Sequence, residues 1–64
     1  MEKEQLLAMD PFILLSWTNT KLRDEYSSLQ LLCEDFNLDN DEFSNKLKAL
    51  GYSYNSDSNQ FIRL

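Results

Sequence analysis

Few side chains in this sequence could do covalent or metal chemistry. Cys33 is the only cysteine, and there is no histidine. Nucleophilic catalysis of the usual kind pairs a thiol or hydroxyl with a base, most often an imidazole; here that base is missing. Cys33 also falls in line with Leu29, Leu32 and Phe36 at i, i+3, i+4, i+7 spacing, which marks the buried face of a helix. It reads as a core thiol. The carboxylates Glu34, Asp35, Asp39, Asp41 and Glu42 are dense enough to suggest a calcium loop. The run "DFNLDNDEF", however, has no glycine at the sharp turn and no glutamate at the closing position. Helix caps and a solvated face account for these acids better. A single glycine leaves no phosphate-cradling loop. No catalytic residue, cofactor site or metal site is expected, and a 64-residue chain has little room for the cleft that acid–base work needs.

Recognition chemistry is the alternative. Asn40, Asp41, Ser44, Asn45 and Lys48 occupy what would be the exposed face of the second helix of a helix-turn-helix, with Lys46 beside them. In that motif the N-terminal residues of the second helix meet base edges, and asparagine can pair with adenine. Asn40, Asn45, Lys46 and Lys48 are therefore the candidate DNA contacts. Against them stands charge. From Asp24 to Glu42 there are seven acids and no base, while affinity for DNA comes largely from neutralising phosphates. Lys21, Arg23, Lys46, Lys48 and Arg63 would have to converge to make even a modest basic patch. A second candidate surface is apolar: Phe12, Ile13 and Trp17 on the first long helix, and Tyr52 and Tyr54 on one face of a hairpin. Aromatic side chains are enriched at binding hot spots. In a small domain, Trp17 and the tyrosines could equally complete the core.

The elements that must position these residues follow from spacing and caps. Asp10-Pro11 is a helix start: the carboxylate can accept from free N–H groups, and proline at the first helical position loses no bond. The helix runs to about Tyr26, with Phe12, Leu15, Leu22 and Tyr26 on one stripe and Asn19 inside it. Ile13, Leu14 and Trp17 lie outside that stripe, so the first two turns are apolar on more than one side. Ser27 and Gln30 read as an S-x-x-Q capping box for a second helix ending near Phe36. Asn37-Leu38 makes the turn, with Leu38 plugging the core. Asp39 and Glu42 cap a third helix that points Phe43, Leu47 and Leu50 inward, and Gly51 stands at its left-handed end. After Gly51 the apolar period drops to two. "YSY" and "QFIRL" flank the turn-forming "NSDSN", which predicts a β-hairpin.

The expected fold is therefore α+β: three short helices containing a helix-turn-helix, then a C-terminal hairpin, in the order of a small winged helix. Residues 9–64 form the single domain. Residues 1–8 read as a flexible leader lacking a packed apolar face, and Met9 is itself a plausible start. Net charge −5 disfavours nucleic acid and anionic membrane. No apolar run approaches the ~18 residues of a membrane span, and a free cysteine agrees with a cytoplasmic protein.

The stretches "MDPFILLSWTNTKLRDEYSSLQLLCEDFNLD" and "LKALGYSYNSDSNQF" resemble a short bacterial family catalogued only as a domain of unknown function, four-two-five-zero. The likeness runs from Met9 to Phe61. It rests on the Met-Asp-Pro-Phe opening, the Asn-Thr-Lys-Leu-Arg-Asp run, the Tyr-Ser-Ser-Leu step and Gly-Tyr-x-Tyr followed by Asn-Gln-Phe. Members of that family typically begin at Met-Asp-Pro. The resemblance implies a small self-contained domain and brings no activity, cofactor or site residue. The function expected from the residues is a non-enzymatic interaction module that takes a protein partner or a second copy of itself. The alternative is an accessory DNA-binding regulator.

Overall fold

The computed structural model describes residues 3–64. Among them four helices precede one hairpin: α1 Lys3–Ala8, α2 Pro11–Asp24, α3 Leu29–Asp35, α4 Asn40–Lys48, β1 Tyr52–Asn55 and β2 Gln60–Arg63. The α+β class and the C-terminal hairpin agree with the sequence.

The leader does not. Lys3–Ala8 are helical and Leu6 is fully buried in the core. Burying one leucine contributes about 1.5–3 kcal/mol toward holding a six-residue helix that would not persist alone in water. The part of the leader at Met1 and Glu2 lies outside the described residues.

Asp10 caps α2 as expected, its Oδ1 accepting from the N–H groups of Phe12 (2.9 Å) and Ile13 (3.3 Å). The buried stripe of α2 differs from the one expected. Leu14, Leu15, Thr18 and Leu22 are buried, whereas Phe12 is 60% exposed. Asparagine and threonine had disguised the periodicity: Thr18 enters the core by donating its hydroxyl to Leu14 O at 2.7 Å, which satisfies its only costly group.

The cap of α3 is Ser28 rather than Ser27, its side chain accepting from Leu31 N at 3.2 Å. Gln30 donates to Glu34 instead of reaching back. The next residue boundary is sharp. Leu38 N donates to Cys33 O (2.7 Å) and Asn37 N to Glu34 O (3.3 Å), with Asn37 left-handed at φ 57°. This paired closure satisfies the last carbonyls of α3 and folds Leu38 back against the core. Asp39 then caps α4 through Glu42 N at 2.9 Å. Gly51, at φ 92°, closes α4 by donating to Lys48 O.

The hairpin is antiparallel, with Tyr52 opposite Arg63, Ser53 opposite Ile62, Tyr54 opposite Phe61 and Asn55 opposite Gln60. Its turn is built on Asn55, whose Oδ1 accepts from Asp57 N and Ser58 N. Asn59 follows at φ 52°, a region that asparagine enters more readily than most residues. Leu6, Leu14, Leu22, Leu29, Leu32, Phe43, Leu47 and Phe61 form the shared core.

Candidate functional site

Helix α2 presents different surfaces on two sides, and Asn19 defines one of them. Its Nδ2 donates to Phe61 O (3.1 Å) and its Oδ1 accepts from Phe61 N (2.8 Å). Both groups of Phe61 must then point away from β1. The register agrees, because Leu64 N donates to Gly51 O across the hairpin and ladder bonds recur at every second pair. One amide side chain thus takes the place of a neighbouring strand on the outer edge of β2. Asn59 makes a second tie: its Nδ2 donates to Leu22 O (3.0 Å) and Tyr26 O (2.8 Å), and its Oδ1 accepts from the Tyr54 hydroxyl (2.6 Å). The Tyr54 hydroxyl also accepts from Leu29 N at 3.2 Å.

This geometry divides the five candidate interface residues. Tyr54 is structural: its hydroxyl links the turn to the start of α3, and its ring meets Phe61 at 5.6 Å. Tyr52 and Tyr54 are both partly buried and packed on the core. Trp17 precedes Asn19 by two residues, about 200° around the helix, so it faces away from the hairpin. It packs edge-on against Phe36 at 5.3 Å, and Phe36 in turn meets Tyr26 at 6.1 Å. Lys21 Nζ stands 5.9 Å from the Trp17 ring centre while pairing with Glu25 at 2.5 Å. Trp17 thus completes the edge of the core, and its flank is a partly exposed aromatic ridge. Phe12 and Ile13 remain in solvent, each 60% exposed, with Ile13 one turn from Trp17.

The candidate DNA contacts lie together on α4. Asn40, Asn45 and Lys48 are exposed and Lys46 is partly so. Asn40 Oδ1 accepts from the Ser44 hydroxyl at 3.2 Å. The N-terminal turn that would approach bases carries Asp41 and Glu42 behind the Asp39 cap. Of the basic residues on α2, Lys21 is tied to Glu25, and Arg23 holds Asp24 through two bonds of 2.9 and 3.1 Å. Those bonds keep the Asp24 carboxyl below its usual range.

A polar cleft of about 480 Å³ lies between α2 and the hairpin turn, lined by Ser16, Thr20, Arg23, Ser58 and Gln60 around the two bonded asparagines. It presents hydroxyls and one paired guanidinium. Among the described residues, no cluster of acids and cysteine is arranged to hold a metal ion, and no helix is long and apolar enough to cross a membrane. The Tyr26 hydroxyl donates to Asp35 Oδ2, and this bond, with burial behind it, pushes Tyr26 up to about 12. Burial, with the Asp39 charge adding to it, pushes the Cys33 thiol up to about 11. Since the thiolate is the reactive form, Cys33 in the native protein should react with a thiol-selective disulfide reagent at least about a hundredfold slower than in urea. Equal rates would show that the core opens at α3.

Sequence reasoning missed Asn59 and Leu6. The first had a signal, an asparagine closing a turn-rich loop. The second had none beyond its apolarity.

A hairpin clamped to one helix by asparagines, closing a four-helix core, defines a small α+β domain. The chain belongs to the family described as Domain of unknown function (DUF4250), whose model matches residues 8–61. No curated protein and no solved structure matches the chain.

Proposed function

We propose that this domain is a non-enzymatic protein-interaction module that engages its partner through the N-terminal half of α2. The observation that carries this reading is the exposure of Phe12 and Ile13, 60% each, on a rigidly capped helix start. Isolated exposed apolar residues are ordinary. Two adjacent ones beside the half-buried Trp17, on backbone fixed by Asp10 and Pro11, form a surface that needs little ordering on binding. The DNA-reading alternative has less support, because its reading helix begins with three carboxylates at residues 39, 41 and 42.

Ile13→Asp tests the proposal. Position 13 is exposed and lies in the first turn of α2, where an acid suits the helix dipole. Stability should change by no more than about 0.5 kcal/mol. A photo-crosslinker placed at position 13 in cells should capture one protein that the same group at exposed Gln30 does not. Equal capture at both positions would overturn the proposal, and sequence-selective, salt-dependent retention of duplex DNA would replace it with the regulator.

A further inference from the structure

The two edges of the hairpin are treated differently. On β2 the outward groups of Phe61 are occupied by Asn19, and the next outward position is the charged Arg63. On β1 the outward positions are Tyr52 and Tyr54, because the ladder bonds fall at Ser53 and Asn55. Among the described residues, no group bonds the backbone N–H or C=O of Tyr52 or Tyr54. Backbone groups without a protein partner are turned to water, and the four residues of β1 are each half-buried rather than covered. Natural edge strands are commonly blunted by lysine, proline or a bulge. The β1 sequence Tyr-Ser-Tyr-Asn has none of these, and its register with β2 is unbroken.

We infer that the outer edge of β1 pairs antiparallel with β1 of a second copy of this chain, joining two hairpins into one four-stranded sheet. The edge is self-complementary. With Ser53 on the two-fold axis, Tyr52 N–H meets Tyr54 C=O of the second copy and Tyr54 N–H meets its Tyr52 C=O. The axis repeats both bonds, giving four. Ser53 then faces Ser53 of the second copy, on the side of the sheet away from Tyr54 and Phe61, with its hydroxyl free to bond its mate. Charge agrees as well. The position four residues after Ser53 runs toward the position four residues before it in the second copy. This brings the turn bearing exposed Asp57 toward the Ala49 end of α4, where Lys48 is exposed. A two-fold contact of this kind closes at two copies. Four added hydrogen bonds with few side chains behind them make it a weak, concentration-dependent dimer. The surface is separate from Phe12 and Ile13, so both can be used at once.

Sedimentation of the full chain up to near-millimolar concentration tests the inference. The wild type should show a monomer–dimer equilibrium. Ser53→Lys sets like charges face to face on the axis and should raise the dimer dissociation constant at least about tenfold, with an unchanged circular dichroism spectrum. A synthetic chain with an N-methyl group on Tyr54 keeps every bond inside the hairpin but loses two of the four new ones, and should behave alike. Ser53→Thr should still dimerise. In amide exchange, Tyr52 and Tyr54 should become protected as concentration rises. A wild type that stays monomeric overturns the inference and leaves the edge to an extended segment of a different protein. A dimer indifferent to both Ser53→Lys and N-methyl-Tyr54 also overturns it.

Discussion

Leu6→Ala should lower the unfolding free energy by about 2–5 kcal/mol, the cost of emptying a leucine site in a packed core. Leu6 has no exposed surface, and with Leu14, Thr18, Leu32, Phe43 and Leu47 it is one of the most deeply buried residues. For a chain of this length the whole stability should be only about 3–10 kcal/mol, so the variant would stand close to unfolding at room temperature. The neighbouring Leu7, only partly buried, should cost less. The single tryptophan makes the measurement direct: Trp17 packs against Phe36, and its fluorescence should report the urea transition. Removing residues 1–8 should cost as much as Leu6→Ala or more. A loss below about 1 kcal/mol for either change would mean that α1 is detached in solution and that the core closes without it.

That residue also marks where the sequence stopped being informative. Most helix boundaries written in local chemistry were legible: Asp10-Pro11, Asn37-Leu38, Asp39 and Gly51 each do in the structure what their types dictate. The hairpin was legible for the same reason, since a change of period and a run of turn residues are local. The largest miss was a contact between distant positions. Leu6 could be placed only by knowing that α1 folds back over the core. Thr18 and Leu14 were hidden because a buried threonine, satisfied by its own helix, looks polar in a periodicity argument. Ser27 and Ser28 offered two adjacent cap residues, and it is Ser28 whose side chain accepts from Leu31 N. The candidate surface was half legible. Ile13 is exposed and lies outside the buried stripe as its spacing suggested, whereas Phe12, placed on that stripe, is exposed too, and Tyr54 was claimed by a hydroxyl network whose members lie 25 residues apart in sequence or, for Asn59, five.

The residue that organises this network gives the other large effect. Asn19→Ala should cost about 2–3 kcal/mol, because it strips the N–H and C=O of Phe61 of the partners they have among the described residues. Part of the penalty is recovered where water can enter, since the bonds are only partly buried. The loss should be local in character. Amides of β2 and the Asn59 turn should exchange faster, while those of Leu32 and Leu47 keep their protection, since the helices pack without the clamp. Asn19→Asp sharpens the argument. A carboxylate can still accept from Phe61 N–H, but it places an acceptor against Phe61 C=O, where the amide had a donor. Only the protonated acid restores both bonds. Its pKa in the folded protein should therefore be raised above the unfolded value. The stability this group contributes is then fully present below the unfolded pKa and lost as pH rises through the folded one. Relative to wild type, Asn19→Asp should be nearly as stable in mild acid and clearly weaker at neutral pH, whereas Asn19→Ala should show no such pH dependence. Identical pH profiles for the two variants would mean that Asn19 holds the hairpin by packing alone, and that the outer edge of β2 has no need of its clamp.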